Sequence, residues 1–263
     1  MPTPADAGAS ASAPRFFVDA LPSAPGPSLS DPDPGWAVTL DRDQSRHAQR
    51  VLRLAAGDPV QLLDGRGTVA QGRVAPGGGA GVSCVVESVS RAQRLSPQIV
   101  LASAVPKGPR GDAMANDLAQ LGTDVWVPMR TGRSVVHPGD GKLERYRKQS
   151  AEAGKQCGRA WWMQVAEVTP LSTVLAAHGR AASSDGRVLR LLADPAGEPT
   201  GAIASRVADA STVVVLVGPE GGFTAGEVAD ARDAGFVSWR FAPHILRVET
   251  AAAAAVAVVR ALA

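Results

Sequence analysis

The sequence predicts an α/β protein in two parts, a small β-rich module followed by a larger, mainly parallel sheet with covering helices. Apolar residues make up 45% of the 263 and charged residues 20%, which supplies a core and excludes general disorder. Before about residue 90, short strand-like runs alternate with turn residues. Beyond residue 97, strand-like and helix-like stretches alternate, as they do when helices cross between parallel strands. The polar stretch 89–97 separates the two patterns.

Residues 1–14 (MPTPADAGASASAP) are small and polar and lack the basic start and apolar stretch of a signal peptide, so a disordered tail is expected. The first module, 15–90, has strand-like runs at 36–40, 60–64, 68–74 and 82–89. Asp64-Gly65-Arg66-Gly67 reads as a hairpin turn, and 45–54 (SRHAQRVLRL) as a helix capped by Ser45 or Asp43. The glycine-rich loop 76–81 leads into a strand rather than a helix, which argues against a phosphate cradle. In the second part, 97–263, strands are expected at 99–105, 124–129, 188–193, 212–217 and 237–241. Helices are expected at 114–121, 143–157, 171–178, 203–210, 224–234 and 250–263.

The longest apolar run, 251–259, has nine residues, against the roughly 18–20 of a membrane span. Cys84 and Cys157 cannot form a disulfide framework, and no Cys/His cluster has zinc spacing. A soluble cytoplasmic protein with no metal and no membrane partner is expected.

The chemistry is expected at two turns. The run 212–217 (TVVVLV) is of buried-strand type and enters Gly218-Pro219-Glu220-Gly221-Gly222-Phe223. Thr224 with Glu227 three residues on forms a capping-box signature, so a helix begins there. The loop therefore lies outside the carboxyl end of a strand, where open α/β sheets hold ligands. Its glycines let backbone approach a ligand. Glu220 repels phosphate and favours a cation, of which the sulfonium of S-adenosylmethionine is one. The second turn, 241–250 (FAPHILRVET), follows the last strand and enters the last helix, with Glu249 or Thr250 at the helix start. Ile245 and Leu246 are apolar residues in a loop; an adenine ring or ordinary core packing would cover them.

Net charge is only +2, but 23 of 27 basic residues are Arg, a residue suited to phosphate. Between Arg130 and Arg159, eight basic and three acidic residues leave +5. Trp161-Trp162 follows, available for base stacking or for a core. Arg46, Arg50 and Arg53 fall four and three apart, on one face of the expected helix. Two basic surfaces on two modules suit one polyanion, RNA.

The pairing of GPEGGFTAGEV (218–228) with HILRVETA (244–251) resembles the RsmE family, bacterial small-subunit rRNA uridine N3-methyltransferases of the SPOUT superfamily. Further matching segments are Val51-Leu52-Arg53-Leu54, Lys107-Gly108-Pro109-Arg110-Gly111, Arg133-Ser134-Val135-Val136, Lys155-Gln156-Cys157-Gly158-Arg159 and 191–197 (LLADPAG). The resemblance covers about 15–263. It implies a PUA-like RNA-binding β-barrel followed by a SPOUT α/β methyltransferase domain with a C-terminal trefoil knot. It implies a homodimer, S-adenosylmethionine as cofactor and 16S rRNA of the small ribosomal subunit as partner. Carried onto this chain, the cofactor-binding residues are Leu192, Leu216, Gly218, Pro219, Gly221, Gly222, His244, Ile245 and Leu246. RNA-binding residues are Arg46, Arg50, Arg53, Lys107, Arg133 and Arg159. The chain departs from the family pattern at Asp117, Gln120, Ala242, His244 and Val248.

Uracil N3 is a poor nucleophile until its proton leaves, so a base or an anion stabiliser is needed. Arg247 is expected to stabilise the anion or anchor phosphate, and Glu220 to lie near the sulfonium or act as base. Alternatives are an RNA-binding paralogue without catalysis and a methyltransferase acting on tRNA or another rRNA base. A nucleotide-dependent α/β enzyme is disfavoured, since no GxGxxG or Walker A pattern follows a strand.

Overall fold

A computed structural model describes residues 13–21, 36–77, 81–182 and 187–263. The expected disordered tail therefore lies outside the described residues, apart from Ala13 and Pro14, and so does the centre of the loop 76–81. The chain divides into two compact units. One is 1–93 with Gly158–Trp161; the other is Arg94–Cys157 with Trp162–Ala263. Among the described residues no helix is long and apolar enough to cross a membrane.

The first unit is a five-stranded sheet. Strands β1 (Arg15–Phe17), β2 (Ala37–Thr39), β3 (Pro59–Leu63), β4 (Thr68–Val74) and β5 (Ser83–Arg91) lie in the order β1-β3-β4-β5-β2. Among the described residues of this unit only the β1–β3 pair is parallel. In β4 buried residues alternate with more exposed ones, and Phe16, Leu40, Leu62, Ala70 and Cys84 share the core. The Asp64–Gly67 turn forms as its residues dictate. Asp64 Oδ1 accepts from the backbone N–H of Arg66 at 2.8 Å and of Thr68 at 2.9 Å, while Gly65 and Gly67 take positive φ. Trp161 lies on this turn: a Cβ on Gly67 would come within 2.1 Å of its ring. Its Nε1 donates to Ala92 O at 2.9 Å, and the Arg91 guanidinium sits 4.3 Å above the ring.

The expected helix 45–54 is a correction. Helix α1 spans only Arg42–Arg46, its N-cap being Asp41, whose side chain accepts from Gln44 N–H at 2.7 Å. A π-helical turn (His47–Val51) follows, and Arg53 has φ +52°. Ser45, expected as a cap, is buried and bridges Leu40 O and Val82 N–H.

The second unit carries strands β6 (Gln98–Ser103), β7 (Val125–Arg130), β8 (Gln164–Val165), β9 (Thr169–Pro170), β10 (Val188–Pro199), β11 (Thr212–Val217) and β12 (Val237–Arg240). The order is β12-β10-β11-β6-β7-β8, with β9 also beside β7, and every pairing is parallel. The helices are α2 (Arg110–Gln120), α3 (Asp140–Cys157), α4 (Leu171–His178), α5 (Thr200–Ala208), α6 (Ala225–Asp233) and α7 (Val248–Leu262). Both sheet faces are covered. Val213 and Val215 join the core under α2, α3, α5 and α7, whereas Val214 and Leu216 join the core under α4 and α6. That double burial is why β11 reads as an unbroken apolar run.

Arg260 on α7 locks this helix to the sheet. Its Nη1 donates to Pro97 O at 2.6 Å, and its Nη2 reaches Asp124 Oδ2 at 3.0 Å. Asp124 is 6% exposed and also accepts from Ile99 N–H at 2.9 Å, so the buried charge is paired and hydrogen-bonded. Between α2 and α3 the packing needs glycine: a Cβ on Gly111 would come within 2.2 Å of the Tyr146 hydroxyl oxygen. Trp162 packs against Gly154 of α3, where a Cβ would meet its ring at 2.6 Å. Both tryptophans thus pack on glycine backbone and are half-buried.

Candidate active site

Three loops, one interrupting β10 and two leaving the carboxyl ends of β11 and β12, line one cavity of about 440 Å³. Its position is the one where parallel sheets hold ligands.

The first loop interrupts β10. Pairing with β12 shifts register between Ala193 and Glu198, so residues 194–197 (DPAG) bulge out of the ladder. Asp194 Oδ1 accepts from Ala196 N–H at 2.9 Å, and Oδ2 faces Arg232 at 3.5 Å. Gly197 permits the bulge: a Cβ there would sit 2.4 Å from the Ser238 carbonyl carbon and the Trp239 nitrogen.

The second loop is 218–223. A Cβ on Gly218 would press on the Phe223 ring at 3.0 Å, and Gly222, at φ +68°, returns its N–H to Pro219 O at 2.7 Å. The capping box is present: Thr224 N–H donates to Glu227 Oε2 at 2.8 Å and Glu227 N–H to Thr224 Oγ1 at 3.2 Å. Glu227 Oε1 also accepts from Gly132 N–H at 2.7 Å. Burial works to raise the Glu227 pKa. The N–H groups of Thr224 and Gly132, the Thr224 hydroxyl and the Arg133 charge outweigh it and hold the carboxyl below its ordinary value.

The third loop runs from Phe241 to Arg247, the N-cap of α7. Trp239 and Phe241 form one wall, with ring centroids 4.6 Å apart. Ile245 is an apolar side chain at the cavity, 82% exposed. Glu220, Arg240, His244 and Arg247 are exposed, and among the described residues none has a side-chain hydrogen bond or ion pair. Glu220 and Arg247 thus do not tie the loops to each other.

Of the residues expected to hold the cofactor, Leu192, Gly218, Pro219, Gly221, Gly222, His244, Ile245 and Leu246 line this cavity, as does Glu220. Leu216 does not: it is fully buried on the α4/α6 side of the sheet, since strand alternation sends it into the core. Arg247 is next to the lining residue Leu246 but is not itself part of the wall. Phe241, which opens the second expected turn, also lines it, as do Asp194, Trp239 and Arg240, which were not among the expected site residues. Asp194 carried a signal, an Asp-Pro pair directly after a buried strand.

The basic residues are less uniform. Arg46 lies in α1, Arg50 in the π-helical turn and Arg53 beyond it in the left-handed region, so the three do not share one helical face. All three are exposed. Lys107 is exposed in the loop before α2. Arg159 is half-buried and engaged with neighbours. Arg133 donates its Nη1 to Gly221 O at 2.7 Å and to Phe223 O at 3.3 Å. Within the +5 segment Lys155 meets Glu152 at 3.0 Å and Arg147 meets Glu144, while two acids from outside it, Asp112 (2.8 Å from Arg145) and Glu167 (on Arg147), offset two of the five net charges.

A parallel α/β unit with a cavity at its strand ends, joined to a five-stranded β unit, defines a ligand-binding enzyme architecture. Residues 93–260 match the model of an RNA methyltransferase domain, and residues 40–87 that of an RNA methyltransferase PUA domain. Ribosomal RNA small subunit methyltransferase E of Mycobacterium bovis is 31% identical over 94% of this chain and 91% of its own length. The protein of that name from Synechocystis is 31% identical over 86% of this chain and 73% of its own. The chain belongs to the ribosomal RNA small subunit methyltransferase E family. Among solved structures, the family member from Neisseria gonorrhoeae, bound to S-adenosyl methionine, is 25% identical with a TM-score of 0.76, covering 95% of this chain and 98% of that one. A methyltransferase from Legionella pneumophila with bound SAM gives 25% identity and a TM-score of 0.70, covering 95% and 97%.

Proposed function

We propose that the protein transfers the methyl group of S-adenosylmethionine to N3 of a uridine in 16S ribosomal RNA. The observation that carries this is the three-loop cavity of a small subunit methyltransferase E family chain, with its apolar lining and unpartnered charges. The residues fit the cofactor. Leu192, Ile245 and Leu246 offer apolar surface to an adenine, the glycine backbone of 218–222 permits close approach, and Glu220 supplies a carboxylate for a cation.

S-adenosylmethionine supplies a methyl group already activated on sulfur. The residues around it align donor and acceptor, which is where most of the rate gain in such a displacement arises. Glu220 faces the positive charge or receives the N3 proton. Arg247, whose guanidinium has no partner among the described residues, stabilises the uracil anion or anchors an adjoining phosphate. The N3–carbon bond forms as the carbon–sulfur bond breaks, its electron pair returning to sulfur. Because N3 is on the pairing edge, the uridine must be unpaired or flipped out.

The finer architecture belongs to the same proposal. A PUA-like barrel for the first unit is supported by the family match at 40–87 and the five-stranded sheet. A SPOUT domain with a trefoil knot is supported by the chain's path: β12 returns beyond β10 rather than beside β11, and α7 then packs back on β6 and β11. Exposed Arg46, Arg50, Arg53 and Lys107 are the proposed RNA contacts. A homodimer in the cytoplasm is what the family resemblance implies, and light scattering tests the dimer.

The test of the reaction is labelled methyl transfer to 16S rRNA in small subunits lacking this modification, followed by mass mapping. Label on N3 of a single uridine is expected. Label only on tRNA or another base transfers the reading to a different substrate, and cofactor binding without transfer leaves an RNA-binding relative.

A further inference from the structure

We propose that Arg133 is a positioning residue that couples RNA phosphate bound on the protein surface to the loop 218–223, and so to cofactor affinity. The inference rests on the function proposed above. Arg133 stands in the loop after β7, outside the cavity wall. Its Nη1 donates to Gly221 O at 2.7 Å and Phe223 O at 3.3 Å, and its aliphatic stem is stacked on Gly221, where a Cβ would meet Arg133 Cδ at 3.5 Å. The neighbouring Gly132 N–H is held by Glu227 at 2.7 Å, so the β7 loop grips the second half of the turn and the helix start that follows it. The β7 loop is itself braced, with Thr131 N–H donating to Ser134 Oγ at 2.9 Å.

Only one nitrogen of the guanidinium is used. Among the described residues nothing partners Nε or Nη2, and the side chain is exposed. A planar fork with one nitrogen on carbonyls and a free edge toward solvent binds a phosphate without releasing the loop. Phosphate on that edge fixes the rotamer that holds Gly221 and Phe223. Cofactor and RNA then strengthen each other by the same factor, as linkage requires.

The test is equilibrium dialysis of labelled S-adenosylhomocysteine, which cannot react, with and without 16S rRNA transcribed in vitro. Wild type is expected to bind about 5-fold or more tightly with RNA present. Arg133→Ala is expected to bind more weakly and to lose the RNA effect. Arg133→Lys keeps the charge but not the fork, and is expected to bind RNA with the coupling lost. Thermal melting confirms that each variant is folded. Wild-type tightening retained in Arg133→Ala, or no tightening in wild type, overturns the inference while leaving the function standing. Tightening by inorganic phosphate alone at matched ionic strength overturns the assignment to RNA. No binding by wild type at all overturns the function and this inference together.

Discussion

Two exposed charged side chains, Glu220 in the cavity wall and Arg247 next to the lining residue Leu246, are held by no described residue. An enzyme that must meet charge developing in a substrate leaves such groups unspent. Arg247→Ala is therefore expected to lower turnover about 100-fold or more while changing cofactor affinity little; calorimetry beside single-turnover kinetics separates the two. Gly197→Ala acts differently. Its Cβ would overlap the Ser238–Trp239 backbone, so the bulge must open, at a cost of about 1–3 kcal/mol in urea unfolding together with weaker cofactor binding. Much of this was legible in sequence, because glycines flanking an acid and apolar residues in a loop are both locally unusual. Leu216 lies off the cavity wall because a two-sided sheet buries residues 213–217 alike, and an apolar run does not reveal which face each takes. Asp194 was passed over because the strand appeared to end at Ala193, whereas pairing resumes at Glu198.

At the scale of elements, α6 was fixed by two residues. Thr224 and Glu227 marked its start, and the structure places the cap there. The Glu227 carboxyl is held below its ordinary value of 4.5. Its unfolded pKa is then the higher of the two, so its stabilisation is present above about pH 4.5 and is lost as pH falls through the folded value. Glu227→Gln keeps a capping partner without the titration. Wild type is expected to lose more stability than this variant between pH 6 and about pH 3 in urea unfolding; equal losses would contradict the assignment. The segment after Asp41 was read less well. Four-and-three spacing assumes 3.6 residues per turn, and a π-helical turn followed by a positive φ at Arg53 breaks that count. Arg46, Arg50 and Arg53 are exposed, as the proposed RNA contacts must be, so replacing all three with Ala is expected to flatten the salt dependence of RNA binding by about 2–3 in slope. An unchanged slope would remove this segment from the interface.

For the whole molecule, alternation of strands and helices gave the parallel sheet, but not its order. Nothing local in 237–240 says that β12 lies beyond β10, or that α7 then packs across β6 and β11. Strand order depends on contacts distant in the chain, which no local pattern of residues carries. That return brings the third loop beside the other two, so the cavity is a product of topology as much as of residues. The most direct test is a crystal structure grown with S-adenosylhomocysteine. The ligand is expected between 194–197, 218–222 and 242–246, with its sulfur on the side of Glu220. Ligand bound elsewhere, or those loops apart with the cavity closed by side chains, would contradict the account.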